Sequence, residues 1–600
     1  MHLPRKAAMG WGMKPLFILL ALVPLAARAA PPPPDPALVS IMNDIRNNQW
    51  SDAQTLAAQQ PDQLVGKLVT YYRLLDPGAA SAAEIRAFQR ANPDWPEQDV
   101  LTSRARAAES SLAPIVPPAP LSPDQAWAQF RLAALHGELR QAEDLSQALS
   151  GPDRVLAGVW LAFARNDPSA ESQAESLGLA QQRTPIIFLA RVRALADAPA
   201  AAEAIWLRDG AQAAAQADPA ERAQIWPAAE TFARTLMAAG DTKNAYQIVA
   251  NTNPAIGGQL LSRDFLAGFI ALRLLHEPTK AAPWFQGLAS TSKAAITQAR
   301  AYYWLGRTTS GPAALADYTE AAAYPDTFYG QLAAVKLGDT PAALAARIRA
   351  IPDAAATPAQ MLDFADRELP QAATLLVQMG APRRAKIFLL RTAALMPDEA
   401  DRNLAARLAS GLGLTPTAVL IARLAGIDGD MLIQQGWPII ATPPDAAIGP
   451  DVILGITRQE SSFDPAAMSV AGAEGLMQLL PGTARDIARK SGTPFSPAML
   501  IADPTQNMLL GAAYFQSLLG NFDHCLPLAI AAYNAGPSNV NKWILANGDP
   551  LQPGTDMIDW LEEIPFSETN NYVQRVIENI VVYRALRTGR AAIPLTCKAG

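Results

Sequence analysis

Helix-length segments alternate with short breaks along most of the chain, and few segments show the alternating pattern of a strand. From about 37 to 380 the sequence is dominated by Ala, Leu, Gln, Arg and Glu, which are strong helix formers, while β-branched residues are sparse. Breaks such as Asn166-Asp167-Pro168 and Gly240-Asp241 separate the helical pieces. The pattern therefore predicts a protein that is nearly all α.

One pair of segments has the spacing of a helix pair from a repeat protein. Residues 299–306, followed by 313–323, resemble a tetratricopeptide pair because Trp304 and Leu305 stand in suitable places. The period is not strict across the region, so we interpret the region as an irregular α-solenoid, or superhelix. A second helical block over residues 378–439 predicts a small linker domain.

The C-terminal quarter continues the helical pattern with little strand signal. Residues 451–459 form an apolar run, and residues 507–519 and 526–533 are apolar almost all round, which is typical of buried helices. Thr483 followed by Asp486 resembles a capping box and predicts that a helix starts there.

A chain of 600 residues is too long for one compact core, so we expect several domains. Trp437-Pro438 and Pro443-Pro444 mark the passage into the last of them. We predict four segments: a signal peptide at residues 1–30, an α-superhelical domain at 31–377, a helical linker domain at 378–445 and a C-terminal domain at 446–600.

The first segment has the features of an export signal. Three basic residues precede the apolar run over residues 15–27, and Ala27-Arg28-Ala29 is a small-x-small cleavage site. The run is too short for a permanent membrane span, so we expect no stable membrane insertion after cleavage. Met13 is a second candidate for the first residue beside Met1.

The charge of the chain argues against one class of partner. The 49 basic and 55 acidic residues give a formal charge of −6. Removal of residues 1–30 removes four basic residues and no acidic ones, which leaves 45 against 55, or −10. Such a chain is not expected to bind nucleic acid generally.

The two cysteines, Cys525 and Cys597, both lie in the C-terminal segment. An exported chain meets an oxidising compartment, so they can form a disulfide that ties the C-terminal tail back. Two buried free thiols are the alternative. The cysteines and the four scattered histidines show no metal-ligand spacing, so we predict no metal and no cofactor.

Four short motifs in the last segment indicate chemistry on a sugar. Glu460 ends the apolar run, and a carboxyl held against apolar side chains has a raised pKa that suits proton donation near neutral pH. Loops rich in Gly, Gln, Tyr and Asn can bind a polar substrate with many rings. Glu460 and these loops belong to four motifs, at residues 460–463, 472–478, 532–536 and 564–569.

These motifs, in this order, resemble the catalytic domain of the soluble lytic murein transglycosylases over roughly residues 450 to 587. The resemblance implies a goose-type-lysozyme-like domain after the superhelix, and a periplasmic enzyme acting on peptidoglycan glycan strands. It implies that Glu460 is the catalytic acid. The substrate-binding residues that it implies are Ser461, Met477, Gln478, Tyr533, Asn534 and Glu568.

Two positions depart from the family pattern. Asn570 stands where the family usually has Arg, and Ser538 stands where it usually has Gly. We expect Ser538 to serve as the N-cap of a helix. Glu568 either lines the cleft or holds the chain together by an internal hydrogen bond.

The sequence leaves three functions open. In the first, Glu460 works alone and the C6 hydroxyl of N-acetylmuramic acid closes a 1,6-anhydro ring, as the family resemblance implies. The second is a muramidase, which needs a second carboxylate. The nearby candidates are Asp464, Glu474 and Asp486, and none of them is a convincing partner for Glu460. The third is a helical scaffold without catalysis. We expect a monomer in each case.

Overall fold

The computed structural model of the chain describes residues 33–110, 121–254 and 256–597. The predicted signal peptide and both candidate start positions lie outside these ranges. Within them the backbone pairs as β-structure only at two isolated bridges, which join Met468 to Glu474 and Glu474 to Leu479. The prediction of an all-α protein is confirmed. No helix of the described ranges is long and apolar enough to cross a membrane.

The described residues fall into two compact units, each assembled from separate stretches of chain. The first contains residues up to 110, Ala345–Tyr514 and Asn579–Ala591, and the second contains residues 121 to 344, Phe515–Glu578 and residues from 592 on. The predicted boundaries at 377/378 and 445/446 stay a prediction.

Apart from the two isolated bridges, the secondary structure of the first unit is helical. Its helices are Pro36–Arg46, Trp50–Ala57, Gln63–Leu75, Ala82–Ala91, Gln98–Ser110, Pro358–Asp366, Glu368–Gln378, Pro382–Leu395, Glu399–Gly411, Thr415–Ala425, Ile433–Gly436, Pro450–Ser461, Pro481–Ser491 and Met499–Ala502. Three further helices contribute residues to both units: Pro341–Arg349, Pro504–Asn521 and Ser567–Thr588.

The second unit consists of helices from residues 121 to 344 and a C-terminal group of helices. Its α-helices are Pro123–His136, Leu139–Ser146, Gly151–Ala164, Ala170–Glu175, Leu179–Gln182, Pro185–Ala194, Pro199–Ile205, Ala211–Gln216, Pro219–Ala238, Thr242–Asn251, Gly257–Phe269, Pro278–Thr291, Ala295–Gly306, Gly311–Ala322, Phe328–Lys336, Leu526–Ala535, Pro537–Asn547 and Met557–Glu562. Two single π-helical turns, Trp206–Gly210 and Ile270–Leu274, extend α-helices of this unit.

Early and late parts of the chain share the core of the first unit. One hydrophobic cluster contains buried residues from both 38–105 and 356–432. The indole of Trp95, which is 2% exposed, donates to Glu368 Oε2 over 2.8 Å. Lys67 Nζ lies 2.5 Å from Glu368 Oε1. The N-terminal helices therefore close onto helices that follow them by some three hundred residues, which the sequence pattern did not predict.

The predicted repeat-like helix pair is present in the second unit as Ala295–Gly306 and Gly311–Ala322. Trp304 is fully buried, with its ring against those of Phe265, Phe269 and Phe285 from preceding helices. A Cβ at Gly306 would overlap the ring of Tyr318, so the glycine permits the two helices to approach closely.

A disulfide fixes the C-terminal tail of the second unit. It joins Cys525, immediately before the helix Leu526–Ala535, to Cys597, and their Cα atoms lie 4.5 Å apart. Cys525 is fully buried.

Two predicted helix caps are wrong. The helix Pro481–Ser491 begins after Leu480, which makes no side-chain cap, so Thr483 lies inside the helix. The helix Pro537–Asn547 begins after Gly536, and Ser538 is therefore its second residue. In both cases proline occupies the first helical position, which its fixed φ and missing N–H suit, and the helix starts two to three residues earlier than a cap at the polar side chain would give.

Candidate active site

Glu460 lies near the end of a helix whose other residues are largely buried. The helix Pro450–Ser461 starts after Gly449 with Pro450 as its first residue, and it buries residues 452–458 without interruption. Glu460 itself is half-buried. The helix therefore presents a carboxyl at the edge of an apolar core.

A buried arginine connects this helix to neighbouring segments. Arg458 Nε donates to the carbonyl oxygen of Gly436 over 2.6 Å, and Nη1 donates to Asn579 Oδ1 over 2.8 Å. The guanidinium lies 3.8 Å from the ring centroid of Trp437, whose Nε1 donates to the same Asn579 oxygen over 3.1 Å. Asn579 Nδ2 in turn donates to the carbonyl oxygen of Gly455 over 3.2 Å. These contacts tie the helix that carries Glu460 to two other segments of the first unit.

The chain turns sharply after Glu460. Ser462 and Phe463 have φ of 50° and 69°, in the left-handed region that residues other than glycine seldom occupy. The hydroxyl oxygen of Ser461 lies 2.8 Å from the carbonyl oxygen of Leu476 and accepts from the amide of Phe463 over 3.1 Å. Ser461 therefore joins the helix end to the glycine-rich loop that follows.

A buried asparagine organises this glycine-rich loop from within. Asn507 Oδ1 accepts from the amide of Met477 over 2.8 Å, and Nδ2 donates to two backbone carbonyl oxygens, each over 3.0 Å. Gly475 has φ of +79°, and a Cβ there would overlap the Asn507 side chain and the Leu500 carbonyl. Asn507 carries no signal in the sequence, because its partners lie on the loop and not on its own helix.

The two predicted binding residues of the loop differ in exposure. Met477 is fully buried, with its side chain against the position where a Cβ of Gly511 would stand. Gln478 is half-buried, and its Nε2 donates to the carbonyl oxygens of Ala467 over 3.0 Å and Gly475 over 2.9 Å. Its Oε1 accepts no hydrogen bond from the residues that the structure describes, so this oxygen remains for a ligand.

The other predicted binding residues belong to the second unit. The last turns of the helix Leu526–Ala535 carry Tyr533 and Asn534, both half-buried. The ring of Tyr533 lies 5.9 Å from that of Phe515. Asn534 Oδ1 accepts from Thr569 Oγ1 over 2.7 Å, which fixes the amide orientation and leaves its NH2 group for another partner.

Glu568 is exposed in the first turn of the helix Ser567–Thr588. Together with Asn534 it lines a cavity of about 760 Å³, whose opposite wall includes Thr231 and Thr235 of the helix Pro219–Ala238. Two predicted site residues therefore share a cavity with residues of the helical region, which the sequence analysis did not connect with the site.

Beside this cavity a buried carboxylate ties the motif around residue 564 to upstream helices. Glu562 is 1% exposed. It accepts from the Tyr329 hydroxyl, from Arg300 Nη2 over 2.8 Å, from Gln574 Nε2 over 2.9 Å and from Asn570 Nδ2 over 3.2 Å. Asn570 thus hydrogen-bonds a carboxylate whose ion-pair partner is Arg300.

Two further acids on the same side pair with arginines of the helical region. Arg273 Nη2 lies 2.5 Å from Asp559 Oδ2. Arg307 lies 2.7 Å from an Asp556 oxygen and 3.0 Å from an Asp559 oxygen. The acids stand at every third position from Asp556 to Glu562, a spacing that places them on one helix face and is the signal that sequence reasoning could have used.

One carboxyl in this group has a displaced pKa. Burial is the main cause that raises the pKa of Glu563 to about 7, and the negative charge of Asp559 adds to it while Arg273 opposes it. The protonation state of Glu563 therefore changes near neutral pH.

The rival carboxylates are engaged in local structure. Asp464 Oδ1 accepts from the amide of Ala466 over 2.9 Å and shapes a turn. Asp486 is exposed and pairs with Arg489 over 3.2 Å. Glu474 is half-buried in the loop, where its backbone makes both isolated bridges. Over the described ranges no group of three or more His, Cys, Asp or Glu side chains could hold a metal ion.

Comparison of the sequence with known proteins identifies the segment that contains Glu460. Residues 439–552 match the family described as Transglycosylase SLT domain. The soluble lytic murein transglycosylase of Escherichia coli K12 is 38% identical over 133 residues, 22% of this chain and 20% of that protein. The membrane-bound lytic murein transglycosylase C of Actinobacillus pleuropneumoniae is 32% identical over 187 residues, 27% of this chain and 49% of that protein. The chain thus spans from about a fifth to about half of these relatives' length.

Solved structures resemble the chain over most of its length. An inactive mutant of the lytic transglycosylase Slt from Pseudomonas aeruginosa matches with a TM-score of 0.62 at 22% identity and covers 92% of this chain and 86% of that chain. The 70 kDa soluble lytic transglycosylase from Escherichia coli matches with a TM-score of 0.53 at 17% identity and covers 93% and 87%. The likeness shows the fold, and it confirms the predicted class of an all-α superhelical protein with a lysozyme-like domain. The predicted family resemblance is confirmed as well.

Proposed function

We propose that this chain, whose residues 439–552 match a transglycosylase SLT domain, is a lytic transglycosylase that cleaves peptidoglycan glycan strands. One observation carries the proposal: within the matched segment, a half-buried glutamate ends a firmly anchored buried helix beside a loop held by Ser461 and Asn507. Such an arrangement places a proton donor against a rigid, polar binding loop.

Glu460 acts first as an acid and then as a base in the proposed reaction. It protonates the glycosidic oxygen between N-acetylmuramic acid and N-acetylglucosamine, and the bond from C1 to that oxygen breaks. The resulting carboxylate takes the proton from the C6 hydroxyl of the muramic acid as that oxygen bonds to C1. The nucleophile belongs to the same sugar as C1, so bringing the two atoms together costs little additional entropy. The product ends in a 1,6-anhydro ring.

The environment of the other carboxylates supports a single-acid mechanism. Hydrolysis of a glycoside normally needs a second carboxylate beside the acid. Asp464 accepts a backbone hydrogen bond in a turn, and Asp486 forms an ion pair with Arg489. The solved structure from Pseudomonas aeruginosa is an inactive mutant in which glutamine replaces one glutamate, so in that protein one carboxyl is indispensable.

We assign the binding roles as follows. Gln478 Oε1 and the Asn534 amide hydrogen-bond sugar or acetamido groups, and Tyr533 contacts the sugar or orients the acid. Glu568 lines the cleft, since it is exposed at a cavity. Ser461 positions the loop through its hydrogen bond to the Leu476 carbonyl oxygen, and Met477 anchors the loop because its side chain is fully buried.

We further propose that the protein is exported to the periplasm by its N-terminal segment and works there as a monomer without metal or cofactor. The predicted division assigns the chemistry to residues 446–600 and none of it to the solenoid or linker. Glycan strands are the proposed partner, and nucleic acid is not one.

The products formed from purified sacculi test the proposal. Mass spectrometry should find disaccharide-peptides that are one water lighter than the muramidase products and that borohydride does not reduce, because an anhydro end has no free aldehyde. Predominantly reducible muramic ends would identify a muramidase, with Glu474 and Glu568 as the first candidates for its second carboxylate. No cleavage at all would favour the scaffold.

A further inference from the structure

Two neighbouring residues of the helix Thr415–Ala425 connect it to the helix that carries Glu460. The first connection is buried: the Cβ of Ala422 lies 3.1 Å from where a Cβ of Gly436 would stand, and the carbonyl oxygen of Gly436 accepts from Arg458 Nε over 2.6 Å. The next residue, Arg423, is exposed in the last turn of the same helix. It provides a second connection, which runs over the surface of the first unit.

The guanidinium of Arg423 spans the segment that contains Glu460. Its Nη1 donates to Ser462 Oγ over 3.2 Å, and its Nη2 lies 3.5 Å from Gln459 Oε1. Gln459 immediately precedes Glu460, and Ser462 follows it by two positions. The two arms of one planar group therefore contact both ends of a four-residue segment, a geometry that arginine can supply and lysine cannot.

The backbone at the end of this segment needs a restraint. Ser462 ends the helix Pro450–Ser461 with φ of 50° and ψ of 34°, in the left-handed region. Glycine usually takes this position, because a Cβ there costs free energy, and another residue keeps the conformation only where its surroundings hold it. Phe463 is held by burial and by the Ser461 hydroxyl, and Ser462 is held through its own hydroxyl by Arg423.

The charge of Arg423 suits the same place. The C-terminal end of a helix carries partial negative charge on its last carbonyl oxygens, and a cation there stabilises the last turn. The last turn of the helix Pro450–Ser461 is the one that carries Glu460. Arg423 thus restrains this turn by two contacts and by its charge.

We propose that Arg423 is a positioning residue for Glu460, which fixes the end of the helix that carries the acid. The inference rests on the proposed function and extends it, because Arg423 lies in the predicted linker domain, for which the sequence indicated no part in the reaction. Arg423 acts through Gln459 and Ser462 and not on the sugar. Its loss should therefore affect the rate of the chemical step more than the binding of the substrate.

The test measures kcat and KM on purified sacculi for the full chain and four variants: Arg423→Gln, Arg423→Lys, Ser462→Ala and the double variant Arg423→Gln/Ser462→Ala. Arg383→Gln is the matched control, since Arg383 is an exposed arginine of the same unit that forms no ion pair with described residues. Amide hydrogen exchange over residues 461–464 is measured in parallel. The amides of Phe463 and Asp464 both donate to Ser461 and report the order of the helix end.

Arg423→Gln should lower kcat on the order of tenfold, because small displacements of an acid are costly, and should leave KM nearly unchanged. Arg423→Lys should recover part of kcat, since one ammonium reaches only one of the two acceptors. The double variant should be little worse than the poorer single variant, because both changes remove the same contact. Exchange at Phe463 and Asp464 should be several-fold faster in Arg423→Gln, and Arg383→Gln should match wild type in every measurement.

Three results would overturn the proposal: a wild-type kcat in Arg423→Gln, a raised KM without a loss of kcat, or effects of Arg423→Gln and Ser462→Ala that multiply in the double variant. Thermal unfolding identifies any variant that misfolds, and Arg423→Lys and Ser462→Ala then carry the comparison. Failure of the proposed function is distinguishable, because the wild type would release no soluble products. In that case the exchange measurement still decides whether Arg423 orders the helix end, and unchanged exchange in Arg423→Gln would refute it.

Discussion

At the scale of single residues, an amide at position 460 keeps the shape of the glutamate side chain but cannot donate a proton. The helix that carries Glu460 is held by the hydrogen bonds of Arg458 and by its buried face. Glu460→Gln should therefore keep the fold and the binding of sacculi while lowering the release of soluble products by at least about 10² to 10⁴-fold, the range of general acid catalysis. Chromatography of released muropeptides measures the loss.

Glu474→Gln is the control for this prediction, because it changes a carboxyl of the neighbouring loop whose hydrogen bonds run through the backbone. It should retain most of the activity. Substantial turnover by Glu460→Gln would remove Glu460 from its central role.

The glycine-rich loop offers a second prediction at this scale. Gly475→Ala adds a Cβ that overlaps Asn507 and the Leu500 carbonyl at a φ of +79°, whereas Gly472→Ala adds one at the same φ with no atom nearby. Both variants carry the strain of a left-handed residue, roughly 1 kcal/mol, but only Gly475→Ala must also displace the loop. Its free energy of unfolding should fall by about 1 to 3 kcal/mol more, and kcat/KM should fall with it. Urea unfolding and kinetics on sacculi test this, and equal effects of the two variants would contradict the overlap.

The sequence predicts residues of this kind only where their role shows in a local pattern. Gly475 and Gln478 stand in a recognisable motif, and so does Glu460. Asn507 has no such mark, because its importance comes from carbonyl and amide groups that the fold brings to it. Gln478 has a partly structural role, because its NH2 group donates to backbone carbonyl oxygens of Ala467 and Gly475.

At the scale of elements, the helix Met557–Glu562 and the residue after it hold an electrostatic cluster with a pH response. The pKa of Glu563 is raised to about 7 from an ordinary 4.5, so the folded state binds this proton more tightly than the unfolded state does. The stabilisation is complete below about pH 4.5 and is lost as the pH rises through about 7. At pH 8 the ionised, partly buried Glu563 should destabilise the fold by on the order of 2 kcal/mol.

Glu563→Gln should therefore leave stability unchanged near pH 4.5 and raise it relative to wild type as the pH increases to 8. Melting temperatures over this pH range provide the measurement. Glu138→Gln, at an exposed glutamate of the same unit that forms no ion pair with described residues, provides the control. A pH-independent difference between Glu563→Gln and wild type would mean that the carboxyl does not titrate in this window.

Element types were predictable here and element ends were not. The helices at 504–521 and 526–535 contain the predicted apolar segments. These segments were predictable because, in an all-α protein, an apolar run of that length is typical of a buried helix. The caps at Thr483 and Ser538 were wrong because a proline just before each one had already started the helix. The acids of 556–562 pair with Arg273, Arg300 and Arg307, which lie some 250 residues away in sequence and could not be matched to them by pattern.

At the scale of the whole molecule, sequence order and spatial order differ. The predicted domains are consecutive stretches, but the first unit combines residues before 110 with residues after 345, and the second combines 121–344 with 515–578. Long-range pairs such as Trp95 with Glu368 produce this arrangement. Such pairs leave no periodic trace in the sequence, so a pattern of helices along the chain cannot predict them.

The dependence of the C-terminal segment on upstream helices gives the last prediction. Residues 448–600 contain all the predicted catalytic and binding residues, yet Glu562, Asp559 and Asp556 find their cationic partners in residues 273–307. An excised fragment 448–600 lacks these arginines and the Tyr329 hydroxyl, so three clustered acids face one another without counter-charge. The fragment should melt at a lower temperature than the intact chain and cleave sacculi more slowly, with the loss greatest at low salt, where repulsion between the acids is least screened.

Arg300→Gln in the full chain is the matched variant: it removes one cation without truncation and should lower the melting temperature to a smaller extent. Activity in residues 31–440 alone would overturn the assignment of the chemistry, and a fragment as stable and as active as the intact chain would show that the arginine contacts are dispensable.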